Sequence, residues 1–388
     1  MDKMRYKLKF RHVILIVLLS ATWATQLIPS LSDMYARIIY PIIAFCLSSF
    51  SGLIPFAIGD LFIFLSIIGL FLYPVKAYYV QKKKWKQILL NEAEYLAWIY
   101  AWFYLAWGLN YFQKDIYERT DMLHPEYSKT AFQAFANDYI DKLNGSYVRI
   151  TSINEPLVRR ESVNAYRQIS DSLGVHYPLQ DSPRAKTMLF TPLISMVGVT
   201  GSMGPFFCEF TLNGDLLPSQ YPATYAHELA HLLGIAGEAE ANFYAYQVCI
   251  RSKARGIRFS GYLSVLPHVL GNAALLMTEE EYALLVHRIR PEIIEQVQSN
   301  RKYWMEKYSP LLGKIQDRIY DWYLKGNNIS SGRKNYSEVV GLLVSYYEYE
   351  QIIQATNRLN AEEKEGVRQL SFPSADDLRE EMRLFVPR

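Results

Sequence analysis

Within the segment YAHELAHLLGIAGEAEANFYAY, residues 225–246, His227 and His231 stand four positions apart. On a helix that spacing puts both imidazoles on one face, one turn apart. Glu228 lies between them, so the pattern is H-E-x-x-H. Two such imidazoles can bind Zn2+, and the glutamate beside them can act as general base on a zinc-activated water. Five residues alone are only moderately specific, so the setting matters. Pro222 stands where a helix would begin. Ahead of it, residues 206–212 (FFCEFTL) read as a strand and Asn213-Gly214 as a hairpin turn.

A catalytic zinc site takes a third protein ligand. Glu238 follows His231 by seven residues; on one straight helix it would lie about 10 Å further along the axis. The chain must therefore turn back, and Gly234 and Gly237 are placed to let it. A second helix then starts near Glu238. Glu238 and Glu240 point to nearly opposite sides of that helix, so only one can face the metal. Glu238 shares its face with Asn242, whose amide can hold the free ring nitrogen of a histidine ligand. Glu238 is the expected third ligand and Glu240 the alternative. For the donor that steadies a developing oxyanion, Tyr336 and His268 are the candidates. Each competes with an ordinary packing role. The strand over 206–212 could take an extended peptide along its edge.

These groups need elements to position them. Helical apolar spacing covers 132–143 and 152–173, a turn-rich stretch covers 174–214, and the chain is helical almost throughout after Pro222. Before residue 113 the pattern is that of a membrane. Val13 to Ile28 is free of charge and follows Lys3, Arg5, Lys7, Lys9 and Arg11; it reads as an uncleaved span. Leu53 to Val75 is a second span, with Lys76, Lys82, Lys83, Lys84 and Lys86 after it. The apolar stretch 38–53 between them is short and reads as re-entrant or interfacial. Tyr95 to Leu109 is the third expected span. With both basic flanks in the cytoplasm, everything after Asn110 lies outside it.

The fold class expected is mainly α: about three transmembrane helices in residues 1–112, then a mostly helical catalytic domain in 113–388 with a small β-sheet or hairpin. Composition agrees. Of 388 residues, 50% are hydrophobic and 20% charged, which excludes a disordered chain. The net charge of +3 gives no sign of a nucleic-acid partner. It divides unevenly: residues 1–112 carry 11 basic and 5 acidic side chains, and the rest carry 30 and 33. Cys46, Cys208 and Cys249 are too few for a disulfide framework; Cys208 and Cys249 read as small buried hydrophobes, with a pairing between them as the alternative. The run Arg251, Lys253, Arg255, Arg258 reads as a solvated loop, with lipid headgroups as the alternative.

H-E-x-x-H followed by Glu238-Ala239-Glu240-Ala241-Asn242 resembles the gluzincin metallopeptidases, especially the membrane-embedded CAAX prenyl endopeptidase and heat-shock protease type. That resemblance implies a zincin-like domain with Glu238 as the third zinc ligand. The gap between the two motifs is shorter here, and Asn242 stands where an aspartate is usual. A longer resemblance is to an uncharacterised bacterial membrane-protein family, domain of unknown function 3810. It rests on IPFAIGD (54–60), WGLNYF (107–112), the segment 227–246 and NYSEVVGLLVSYY (335–347). It implies a multi-pass protein of a bacterial cytoplasmic membrane. The expected function is a membrane-anchored zinc metallopeptidase acting on peptide or protein substrates. The alternative is an inactive zincin-like membrane protein serving as sensor, scaffold or inhibitor.

Overall fold

The computed structural model describes residues 9–120, 122, 128–330 and 338–370. Helix α1 (Phe10–Leu27) is followed by α2 (Pro29–Met34) and α3 (Tyr40–Gly52). A π turn at Tyr35–Ile39 joins the last two into one rod of 24 residues. The turn precedes Pro41, which has no N–H to offer the preceding turn and whose ring crowds it; a wider turn relieves both. Helix α4 (Ile58–Val75) runs on through a second π turn to Val80, and α5 (Trp85–Ala106) returns.

The rest of the body comprises α6 (Ile116–Arg119), α7 (Lys129–Ser146), α8 (Glu155–Ile169), β1 (Lys186–Thr187), α9 (Thr191–Ser195), β2 (Gly201–Gly204) and β3 (Glu209–Leu212). After these come α10 (Tyr221–Leu232), α11 (Glu238–Ile250), α12 (Arg255–Leu276), α13 (Glu279–His287), α14 (Pro291–Lys307), α15 (Pro310–Gly326) and α16 (Val339–Leu370). Side-chain caps explain several starts: Ser128 accepts from Ala131 N, Asn154 from Leu157 N, and Thr278 and Glu281 form a capping box. The protein is thus mainly α-helical, with membrane-length helices at its N-terminal end and a small sheet within the helical body.

Helices α10 and α11 pack on each other at the centre, with α12 and α8 against both and α16 against α11 and α12. Tyrosines fill much of this core. Tyr139, Tyr166, Tyr225 and Tyr244 are fully buried, and each hydroxyl donates to a backbone carbonyl, of Tyr262, Ala226, Pro183 and Leu173 respectively. A buried ring with its polar tip satisfied keeps its full apolar gain. Cys208 and Cys249 are buried free thiols, and Cys46 is free as well.

The sheet has the order β1-β3-β2, with β1 parallel and β2 antiparallel to β3. Three expectations change here. The strand expected over 206–212 starts only at Glu209, because residues 205–208 form the turn that joins β2 to β3. The rings of Phe206 and Phe207 leave the strand direction to pack on Phe62 of α4, at 5.0 and 5.8 Å. And β3 is the central strand, so the open edge belongs to β2. Asn213-Gly214 does not close a hairpin; it leads out of β3 toward α10.

Four described helices are long and apolar enough to cross a membrane: Phe10–Leu27, Pro29–Gly52, Ile58–Val80 and Arg255–Leu276. Their number supports a multi-pass membrane protein. They differ in surroundings. The Ile58–Val80 helix is 6% buried, whereas half of Arg255–Leu276 is buried, packed among other helices of the body. The rod 29–52 touches the body along its length. Ser32 Oγ donates to Phe112 O, the His176 ring to Ala36 O, Tyr40 OH to Leu232 O and Lys186 Nζ to Ser51 O. Helix α5 takes in residues 95–106 of the expected third span, the rest of which turns away after Ala106; with Lys86, Glu92 and Glu94 in its first half, α5 is not among the four. It runs beside α1 in the same direction, from the Arg11–Glu94 ion pair (2.7 Å) to the Ser32–Phe112 bond (2.6 Å). In the run 251–258, Lys253 and Arg255 are exposed, whereas Arg251 and Arg258 are half-buried and donate to the carbonyls of Gln247 and Ser252.

Candidate metal centre

Helix α10 carries His227, Glu228 and His231 and ends at Leu232. The chain then reverses. Gly234 has φ +93°, and a Cβ on it would meet the Tyr40 ring at 3.0 Å, so a side chain there would be both strained and crowded. Gly237 is ordinary extended backbone and caps α11, whose first residue is Glu238. The expected reversal is present, with Gly234 as its one left-handed glycine.

The last carbonyls of a helix lack partners within it. Here other elements supply them. Trp107 Nε1 donates to His231 O (2.9 Å), Tyr40 OH to Leu232 O (2.8 Å) and Gln113 Nε2 to Gly234 O (2.5 Å). The WGLNYF segment and the rod thus hold the histidine helix in place. Trp107→Phe keeps a ring but deletes the donor. It is expected to cost about 1 kcal/mol of stability, read as a lower melting temperature, with a weaker metal affinity because His231 is freer to move.

His227 Nε2 and His231 Nε2 lie 3.0 Å apart. Glu238 Oε2 is 3.1 Å from the first and 3.5 Å from the second. Four ligands at zinc bond lengths of about 2.0–2.1 Å have tetrahedral edges of about 3.3 Å, so the three donors have the spacing of one face of a zinc site. Their outer atoms are all engaged. His231 Nδ1 donates to Ile235 O (2.6 Å), His227 Nδ1 to Asn242 Oδ1 (2.9 Å), and Tyr320 OH to Glu238 Oε1 (2.5 Å). Both rings therefore turn Nε2 to the common point. Glu238 Oε2 is buried there with no hydrogen bond. A buried carboxylate oxygen facing two imidazole nitrogens is uncompensated unless a positive charge joins them. The residues fit a divalent cation, and among the described residues this is the one group of three such donors.

The electrostatics say the same. Burial would lower His231, but the charge of the adjacent Glu238 carboxylate outweighs it and pushes it up to about 9. Burial would raise Glu238, yet the two histidines hold it well below the usual carboxylate range. Glu228 behaves oppositely: burial raises it, with the histidines opposing and Glu238 adding to the rise. Its Oε2 is also buried without a partner. On its other side is Gly201 of β2, where a Cβ would collide with the carboxylate.

The structure thus brings together His227, Glu228, His231, Glu238 and Asn242. It places Glu240 on the other side of α11, paired with the buried Arg119 and accepting from Ile116 N at 3.1 Å. His268 lies on α12 and is not among the groups lining the cleft over the cluster, although its neighbour Pro267 is. Tyr336 lies outside the described residues. Tyr320, Trp107, Tyr40 and Gly201 are additions. Nothing marks Tyr320 among 30 tyrosines; only the fold brings it to Glu238.

Neither the curated proteins nor the solved structures contain a match to this chain. Residues 35–344 match the family described as protein of unknown function DUF3810. That stretch starts in the rod, takes in every group placed at the cluster and ends in the second turn of α16, so the chain belongs to the DUF3810 family.

Proposed function

We propose that the protein is a membrane-anchored zinc-dependent metallopeptidase of gluzincin type. The observation that carries this reading is one arrangement: the His227–His231–Glu238 cluster opens to a cleft shared with the buried, unpartnered oxygen of Glu228. His227 and His231 hold zinc through Nε2 and Glu238 through Oε2. Zinc in such a site supplies Lewis acidity and makes water a nucleophile near neutral pH. Glu228 takes the proton of the attacking water at its free oxygen and returns it to the leaving amine. Asn242 and Tyr320 keep two of the ligands aimed.

Strand β2 positions the peptide. Asn213 N donates to Thr200 O (2.9 Å), so by the alternation of an antiparallel ladder Gly201 and Met203 turn their backbone groups to the open edge. An extended substrate pairing there runs past Glu228. The division into a membrane part, 1–112, and a catalytic part, 113–388, belongs to this reading. So does orientation. The N-terminal ends of α1 and α5 and the C-terminal end of α4 lie on one side with Lys9, Arg11, Lys76 and Lys82–Lys86, which is the cytoplasmic side of a bacterial membrane. The catalytic body is then extracytoplasmic.

Metal content and cleavage test this together. Full-length protein in detergent is expected to carry stoichiometric zinc by mass spectrometry. It should cleave a mixed peptide library, lose cleavage to a chelator and recover it with zinc. Glu238→Ala is expected to lose the metal and Glu240→Gln to keep it. Asn242→Ala should weaken zinc affinity about 10- to 100-fold. Folded wild-type protein that takes up no zinc would overturn the reading and favour an inactive sensor, scaffold or inhibitor.

A further inference from the structure

The cleft over the metal cluster has a volume of about 1690 Å³. Pockets for small molecules run to about 300–1,000 Å³, so this one has room for a polypeptide. Its walls are unequal. One is the polar floor of His227, Glu228, His231 and Glu238. Another part of the lining comprises Asp60, Ile63, Phe64 and Ile67 of α4. From Asp60 to Ile67 the wall follows α4 for about 10 Å along its axis.

This is the most apolar and least buried of the membrane-length helices, with mean hydropathy 2.1. Ile63, Phe64 and Ile67 are each 41–50% exposed, although they line the cleft. The cleft is therefore continuous with the lipid-facing surface of α4. Helix α15 adds a second apolar rim. Leu311, Ile315, Ile319 and Trp322 fall on one stripe and are 49–79% exposed. Ile315 and Ile319 also line the cleft. Exposed isoleucine and phenylalanine at the mouth of an active-site cleft fit an apolar occupant, not a water-borne polar peptide.

We propose that the substrate is a polypeptide with an apolar segment embedded in the bilayer, cut in the extended stretch that adjoins that segment. The first turns of α4 and the stripe of α15 receive the apolar flank, while β2 holds the stretch to be cut. The inference rests on the peptidase reading and adds to it a substrate class. The bond broken is a peptide amide: water adds its oxygen to the carbonyl carbon, and its proton passes through Glu228 to the departing nitrogen.

The test uses zinc-loaded full-length protein in detergent micelles, where anchoring confers no confinement to one bilayer, and two reporter pools. Both carry the same randomised polar stretch. In one pool it follows a Leu/Ala helix long enough to span a bilayer; in the other it follows a Gly/Ser segment. The helix-bearing pool is expected to be cut about tenfold faster or more, with new termini in the stretch beside the helix. Replacing two wall residues, Ile67→Ser with Ile319→Ser, should reduce that preference about tenfold and leave zinc content unchanged. Equal rates for the two pools, or a preference that survives the double substitution undiminished, would overturn the substrate class while leaving the peptidase reading standing. Cleavage of neither pool, with zinc bound, would overturn both.

Discussion

Glu228→Gln is expected to retain zinc and lose hydrolysis. The side chain is buried and wedged against Gly201, so an isosteric amide fits where a larger residue would not. It belongs to none of the three metal donors, and the Nε2 and Oε2 spacing of the cluster does not depend on its charge. What the amide cannot do is take a proton. General-base catalysis contributes about 10²–10⁴ in rate, or roughly 3–5 kcal/mol of barrier at about 1.4 kcal/mol per tenfold. The loss should therefore appear in kcat, in single-turnover cleavage, with metal content equal to wild type. Stability should not fall. A carboxylate whose oxygen is buried without a partner is a cost the folded protein bears for function. A variant as active as wild type would sink the proposed chemistry; a variant without zinc would show instead that Glu228 helps to hold the cluster.

Much of the cluster was legible because its rules are local. Helical spacing placed His227 and His231 on one face, and rise per residue required the reversal that Gly234 makes. Glu238 and Glu240 do lie on two sides of one helix. What separates them is a distant partner: Arg119 claims Glu240, and no spacing within the motif announces that. Long-range partners were also why the WGLNYF segment remained a pattern without a role until Trp107 met His231 O. The sheet departs from its sequence pattern for a related reason. Phe206 and Phe207 look like strand residues, yet their rings are drawn to Phe62 of α4, and the chain turns there. The membrane helices were legible from composition, but composition cannot distinguish a helix in lipid from one in a core. The Arg255–Leu276 helix has the hydropathy of a span and is half buried within the body.

Lys186→Met is expected to cost about 3–5 kcal/mol, a large part of the 5–15 kcal/mol typical of a folded domain. Lys186 and Glu209 have side chains only 1% and 3% exposed and meet at 2.5 Å. Each also serves a membrane-length helix. Lys186 Nζ donates to Ser51 O in the last turn of α3, and Glu209 Oε1 accepts from Gly59 N in the first turn of α4. These are the ends at which a cation and an anion are favoured. Removing the lysine leaves a charged carboxylate buried with one amide for company. Removing both, in Lys186→Met/Glu209→Met, leaves no uncompensated charge, so the melting temperature should recover most of the loss. Cleavage should not recover with it. The pair ties β1 and β3 to the α3–α4 junction, and β3 in turn holds β2 beside Glu228. A double variant as stable as wild type but slower in cleavage would mean that the buried pair serves placement more than stability. Parallel recovery of both would mean that the sheet keeps its position without the pair.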